Sequence, residues 1–146
     1  MRILYFDLIG GASGDMLLGA LIDAGVPAED LSKALEALNL DEFELKVSST
    51  EKNGFSATKV DVVVGKQPPE RHLKEILAVI TESSLPKGIK ERAAGIFKKI
   101  AQVEAGIHGV EIDQIHLHEL GGTDTIVDVT GVLLGLEILG VSRIHS

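Results

Sequence analysis

Cysteine is absent from the 146 residues, and with it go disulfides and thiolate metal sites. Any metal held here must use His, Asp, Glu, backbone or water. The lack of thiols also fits a reducing cytoplasm, the compartment expected for the chain. Tryptophan is missing too, and aromatics total only 3%, which argues against a platform for stacking bases. Positive charge is scarce: 14 Lys and Arg face 22 Asp and Glu, for a formal net charge of -8. Such a surface repels phosphate backbones, so no nucleic-acid partner is expected. It can still concentrate cations. Long hydrophobic runs are lacking as well. Val129–Leu139 is far too short to span a bilayer and contains Glu137. The run Ile3–Phe6 is cut by Asp7 and is too short for a signal peptide. No membrane partner is expected.

What is present suffices for a core. Hydrophobic residues make up 45% and mean hydropathy is +0.23. The length fits one domain over residues 1–146, with no internal repeat and no long linker. Ile3–Leu8 reads as a buried strand that ends at Gly10-Gly11. Ser13 offers an N-cap to a helix with Met16, Leu17, Ala20, Leu21 and Ala24 on its apolar face. Gly25 stops it, and Leu31, Ala34, Leu35 and Leu38 mark a second helix. Phe43, Leu45 and Val47 alternate with polar residues at the period of a half-buried strand. Asn53-Gly54 signals a hairpin whose return strand carries Val60, Val62 and Val64. Leu73, Ile76, Leu77 and Ile80 give a third helix. A long fourth runs through Ile89, Ala93, Ile96, Phe97, Ile100 and Val103 to stops at Gly106 and Gly109. Ile115–Leu120 is a short strand or an extended loop. A last helix opens at Thr123, and Arg143–His145 can begin another strand. This order predicts an α+β fold: a mixed β-sheet containing the Asn-Gly hairpin, covered by about five helices.

Two segments carry chemistry. The first runs from Asp7 through Gly10, Gly11, Ser13 and Gly14 to Asp15. A glycine turn between strand and helix can cradle phosphate through backbone N–H groups and the helix dipole. Yet it matches neither nucleotide-binding glycine pattern and has no lysine. Two carboxylates repel a bare anion, so a metal or metal-bridged phosphate is the better functional reading. The simpler reading is that Asp15 complements the helix dipole. It is favoured for Asp15, while for Asp7 both readings stand.

The second segment is His116-x-His118-Glu119 and the helix after it. In an extended chain the two histidines point to one side, roughly 6.5–7 Å apart at Cα, close enough to share a metal. Residues 126–139 are apolar almost all round, which predicts a buried helix. It nevertheless carries Asp124 and Asp128, one turn apart on one face that Gly131 and Gly135 continue. Asp124 can simply favour a helix N-terminus. Asp128 lies past the first turn, and a buried carboxylate needs a partner. A metal or the histidines upstream are slightly favoured over a buried cation or serine. His72 reads as a solvated helix end, and His108 as a helix C-terminal cap.

These segments resemble the LarC family of nickel-insertion proteins. The family opens with Y-F-D-x-x-x-G-x-S-G-D-M, matched here by Tyr5, Phe6, Asp7, Gly11, Ser13, Gly14, Asp15 and Met16. Its later pattern H-x-H-E-x-G-x-x-D-x-x-x-D is matched by His116, His118, Glu119, Gly121, Asp124 and Asp128. Glu104-Ala105 and His108-Gly109 look like the stretch between. Residues Leu8-Ile9-Gly10 differ. The resemblance covers essentially the whole chain. It implies insertion of nickel into pyridinium-3,5-bisthiocarboxylic acid mononucleotide, making a nickel-pincer nucleotide cofactor. The enzyme class implied is a nickel chelatase, or cyclometallase, among the lyases. The family also implies a histidine-rich segment and a C-terminal domain that binds CTP with a divalent cation. Neither lies in these 146 residues, so the chain reads as an N-terminal part that needs them as its partner. A homo-oligomer is also expected.

On that resemblance, His116, His118 and Asp124 are the expected metal ligands. Asp128 and Glu119 are the candidate catalytic bases, without a choice between them. Asp7, Gly11, Ser13, Gly14 and Asp15 are the expected cofactor-binding turn. Two other readings compete: an assembly module without its own metal site, in which the acidic and glycine stripe packs against the Gly10–Asp15 turn or another subunit, and a magnesium-dependent phosphohydrolase or nucleotide-binding domain with the metal held by Asp7 and Asp15.

Overall fold

The computed structural model describes residues 1–40, 43–65, 71–115, 117 and 119–146, with backbone alone at Glu119. Strand β1 (Arg2–Tyr5) leads through Gly10 and Gly11, both at positive φ, into helix α1 (Gly14–Asp23). Helix α2 (Ala28–Leu35) and a 3₁₀ turn (Glu36–Leu38) follow, ending on Asn39 in the left-handed region. Strands β2 (Phe43–Lys52) and β3 (Phe55–Val64) then pair antiparallel. The remaining elements are α3 (Leu73–Glu82), α4 (Lys87–His108), α5 (Thr123–Ile138) and β4 (Val141–His145).

The hairpin follows from its turn. Asn53 and Gly54 have φ of 54° and 80°, the two positive values that a type I′ turn needs. That turn pairs Lys52 with Phe55, and the register runs unbroken to Phe43 opposite Val64. The tip projects beyond the core, so Phe55 is 79% exposed.

Among the described residues five helices and two strand pairs make an α+β molecule, as the element order predicts. The strand pairs are separate two-stranded sheets, β1–β4 parallel and β2–β3 antiparallel. The first strand departs from expectation. It spans Arg2–Tyr5 rather than running to Leu8, and it is not buried: Ile3 is 50% and Tyr5 67% exposed. A ribbon of two strands has little to cover it, and here Leu4 and Val141 pack against the core. Parallel pairing is normally covered on both faces, so this pair is weakly supported. Amide exchange at Leu4 and Arg143 is expected to be at least ~100-fold faster than at Val127 and Leu133. Equal protection would show the pair to be as stable as the core.

Helix α5 is the centre of the molecule. Its buried residues Ile126, Val127, Thr130, Gly131, Leu133, Leu134 and Leu136 point in all directions, as expected of a helix apolar all round. It packs against α1, α2, α4 and β3. Gly131 faces Leu18, and Gly135 faces Leu21 and Val26. The glycine stripe therefore seats the body of α1 on α5, at Leu18 and Leu21 and not at the Gly10–Asp15 turn. Helix α4 presents a narrower face than its sequence suggests. Ile89, Ala93, Phe97, Ala101 and Ala105, every fourth residue, are buried, while Val103 is 56% exposed. It runs through Gly106 and stops at Gly109, which has φ 66°. Among the described residues no helix is long and apolar enough to cross a membrane.

Candidate active site

The close seating of α1 on α5 brings the two sequence segments together. Gly14 opens α1, and Asp128 lies on the second turn of α5. A Cβ on Gly14 would stand 2.5 Å from both Cβ and Oδ2 of Asp128. Only glycine fits there, because the aspartate side chain occupies the space. The carboxylate accepts a hydrogen bond from the backbone N–H of Asp15, one of the free donors at a helix start. Its other oxygen, Oδ1, is buried and has no hydrogen-bond partner among the described residues.

That environment disfavours the ionised form. Burial raises the Asp128 pKa most, and the carboxylates of Asp15 and Asp124 raise it further. The Asp15 N–H pulls it partly back. The outcome is a carboxyl pushed up from 3.8 to about 7, poised to exchange a proton near neutrality.

The glycine turn is arranged differently from its sequence reading. Ser13 occupies the N-cap position of α1, yet its hydroxyl makes no capping bond and donates to the Asp15 carboxylate. Asp15 Oδ1 also accepts from the Met16 N–H at 2.9 Å. Asp15 thus serves the helix start, as the dipole reading has it, and also presses its charge on Asp128. Gly11, with φ 88°, donates its N–H to the Leu8 carbonyl at 3.1 Å. Asp7 is exposed just beyond β1.

Asp124 is exposed in the first turn of α5. Glu119 lies in a 3₁₀ turn, Glu119–Gly121, that leads into that helix. His116 and His118 lie outside the described residues. Among the described residues no group of three or more His, Asp or Glu side chains gathers to hold a metal. His72 caps α3, accepting from the Glu75 backbone while the Glu75 carboxylate accepts from the His72 N–H at 2.7 Å. His108 ends α4, 3.5 Å from Glu104.

One residue near this end of α5 escapes sequence reasoning. The Arg71 guanidinium donates to the Thr123 hydroxyl at 3.0 Å. A Cβ on Gly121 would lie 2.7 Å from the Arg71 carbonyl oxygen. Arg71 is therefore packed on the Gly121-Gly122 turn and brings a positive charge to the first residue of α5. The glycine at 121 was the available signal, but it names no partner.

A family described as nickel insertion protein matches residues 4–146. A relative from Thermomicrobium roseum is 46% identical over 99% of this chain and 36% of its own length. In two strains of Desulfitobacterium hafniense, proteins named pyridinium-3,5-bisthiocarboxylic acid mononucleotide nickel insertion protein are 42% identical. They match 100% of this chain and 36% of their own length. No solved structure matches. The chain belongs to the nickel insertion protein family, and it spans a little over a third of the length of these relatives.

Proposed function

We propose that this chain is a single-domain part of a protein that inserts nickel into pyridinium-3,5-bisthiocarboxylic acid mononucleotide. The observation that carries the reading is Asp128: a carboxylate with one buried, unpartnered oxygen and a pKa near 7. Forming a nickel–carbon bond to the pyridinium ring requires that the ring carbon lose its proton. A base titrating near neutrality is matched to that task. Asp128 is the base in this scheme. Glu119, on the approach to α5, is the second candidate.

Nickel is a substrate of the reaction. Imidazole and carboxylate donors suit it, and the sequence holds no thiol to trap it. His116, His118 and Asp124 are the proposed donors. Asp7, Gly11, Ser13, Gly14 and Asp15 form the turn that faces the metal-bound substrate. CTP with a divalent cation, and the parts of the protein that bind them, belong to the full-length protein, a cytoplasmic enzyme of the lyase class in this reading. A homo-oligomer is proposed as its assembly.

Calorimetric titration with nickel tests the donor set. The chain is expected to bind about one nickel, and His116→Ala/His118→Ala is expected to abolish binding while remaining folded. Asp128→Asn is expected to leave binding within roughly threefold, since a base is not a ligand here. One observation favours a second reading: the Gly131 and Gly135 stripe packs α1 tightly on α5, as a scaffold would. No nickel binding by the chain would support that reading, with the metal chemistry placed elsewhere in the protein.

A further inference from the structure

Helix α4 carries an apolar row that no other element covers among the described residues. Its buried face is Ile89, Ala93, Phe97, Ala101 and Ala105, which packs into the core. A second row, Ile96, Ile100, Val103, Ile107 and Val110, follows at alternating spacings of four and three residues. That alternation is the seam of a helix pair. Ile100 is half-buried. Ile96, Val103 and Val110 are exposed, and Ile107 is 71% exposed. The row runs roughly 20 Å along the helix. Single exposed apolar residues are ordinary, whereas a contiguous row marks an interaction surface. Gly106, beside it, has nothing within 4 Å of its Cβ position, so a second backbone can come close.

The charges on α4 run against its own dipole. A helix favours acidic residues in its first turn and basic ones in its last. Here the first turn has no acidic residue, and Lys87, Lys90, Arg92, Lys98 and Lys99 all precede Ile100. Glu104, Glu111 and Asp113 follow it. Lys87 pairs with Glu91 at 3.7 Å, and Lys90 donates to the Thr81 and Ser83 carbonyls. His108, the one basic group at the acidic end, lies 3.5 Å from Glu104. Arg92, Lys98 and Lys99 make no ion pair among the described residues. Arg92 lies four residues before Ile96, and Lys99 four before Val103, so both share the face of the apolar row.

A partner for this face must offer apolar groups along it and negative charge at one end. A second α4 in antiparallel orientation does both. With a two-fold axis between Ala101 and Gln102, Ile96 stands level with Ile107, and Ile100 with Val103. Arg92 then stands level with Glu111, and Lys99 with Glu104. A parallel copy would instead set each charge beside its own equivalent, which is unfavourable.

We propose that α4 joins two copies of this chain as an antiparallel pair along Ile96, Ile100, Val103 and Ile107. The basic half of each helix lies over the acidic end of the other, a closed two-fold interface. This assigns a face to the homo-oligomer and does not rest on the nickel reading. A single helix pair buries less than a standard interface, so a dissociation constant on the order of 10 µM is expected.

Sedimentation equilibrium of the chain, at concentrations spanning that value, tests the pairing. The mass is expected to rise with concentration from 15.5 kDa towards twice that. Val103→Glu/Ile107→Glu is expected to remain monomeric throughout. Both sites are exposed, so the variant should fold, which circular dichroism checks. Orientation is read by cross-linking, since the chain has no cysteine of its own. Ile96→Cys and Ile107→Cys, mixed and oxidised, are expected to join chiefly to one another, and each alone to join little. A monomer at every concentration would overturn the proposal and leave the row to another part of the longer protein. So would a dimer that survives Val103→Glu/Ile107→Glu, or variants that cross-link to themselves as readily as to each other.

Discussion

Replacing Asp128 with asparagine is expected to lower nickel insertion by the full-length protein about 10²–10⁴-fold, the usual contribution of a general base. The same substitution should stabilise the fold at pH 8. The Asp128 carboxyl has a folded pKa of about 7 against an ordinary 3.8, so the folded state holds its proton more tightly than the unfolded chain. Stability from this group is fully present below about pH 4 and is lost as pH rises towards 7. Above pH 7 the deficit is constant. The difference in pKa corresponds to at most about 4 kcal/mol. Partial exposure and screening reduce that to about 1–2 kcal/mol. Asparagine removes the charge and can still accept the Asp15 N–H. Thermal melts at pH 5 and pH 8 should show the variant gaining more at pH 8 than at pH 5. The parent's insertion rate should climb with pH through about 7, as the base ionises. Loss of activity together with loss of stability at both pH values would instead mark Asp128 as a packing residue.

Gly19→Ala carries the largest expected effect on stability. A Cβ there would lie 2.4 Å from the Thr58 carbonyl oxygen and 3.3 Å from its carbon. Both are backbone atoms of β3, so no rotamer change relieves the contact. Helix α1 must lift from the hairpin, which also strains the Thr58–Asp23 hydrogen bond. Overpacking of this kind costs about 3 kcal/mol or more. Gly95→Ala is the matched control. Gly95 lies mid-helix in α4 with nothing within 4 Å of its Cβ position, so alanine should stabilise by roughly 0.5–1 kcal/mol. Urea titrations of both variants should shift the midpoint in opposite directions. Shifts of the same sign would mean that the α1–β3 contact is looser than described.

Both predictions draw on contacts that the sequence announced unevenly. Asn53-Gly54 specified its hairpin because two positive φ values at adjacent positions are demanded by very few turns. The unbroken apolar character of residues 126–139 placed α5 at the centre for an equally local reason. Asp128 was marked as needing a partner, since capping could not explain it. Its seat against Gly14 was not legible, because the two are 114 positions apart and only the packing of α1 on α5 joins them. Ile3–Leu8 looked like a buried strand because its residues are apolar. Composition does not reveal that, among the described residues, β1 has a single strand neighbour. Arg71 on Thr123 pairs residues 52 positions apart with no periodic signal on either side.

The pairing of β1 with β4 bears on how the molecule is made. Ser142 donates to the Arg2 carbonyl across 140 residues of chain, and Arg2 is paired with Val141 in the ladder. At about 5–20 residues per second, β1 leaves the ribosome on the order of ten seconds before its partner exists. Throughout that interval Ile3, Leu4 and Tyr5 have no strand to pair with. The hairpin and the α3–α4 pair are local and can form in the meantime. The turn with Asp7 and Gly11 is therefore made well before the strand that holds β1 in place, and a chaperone that captures short apolar segments has that interval in which to meet it.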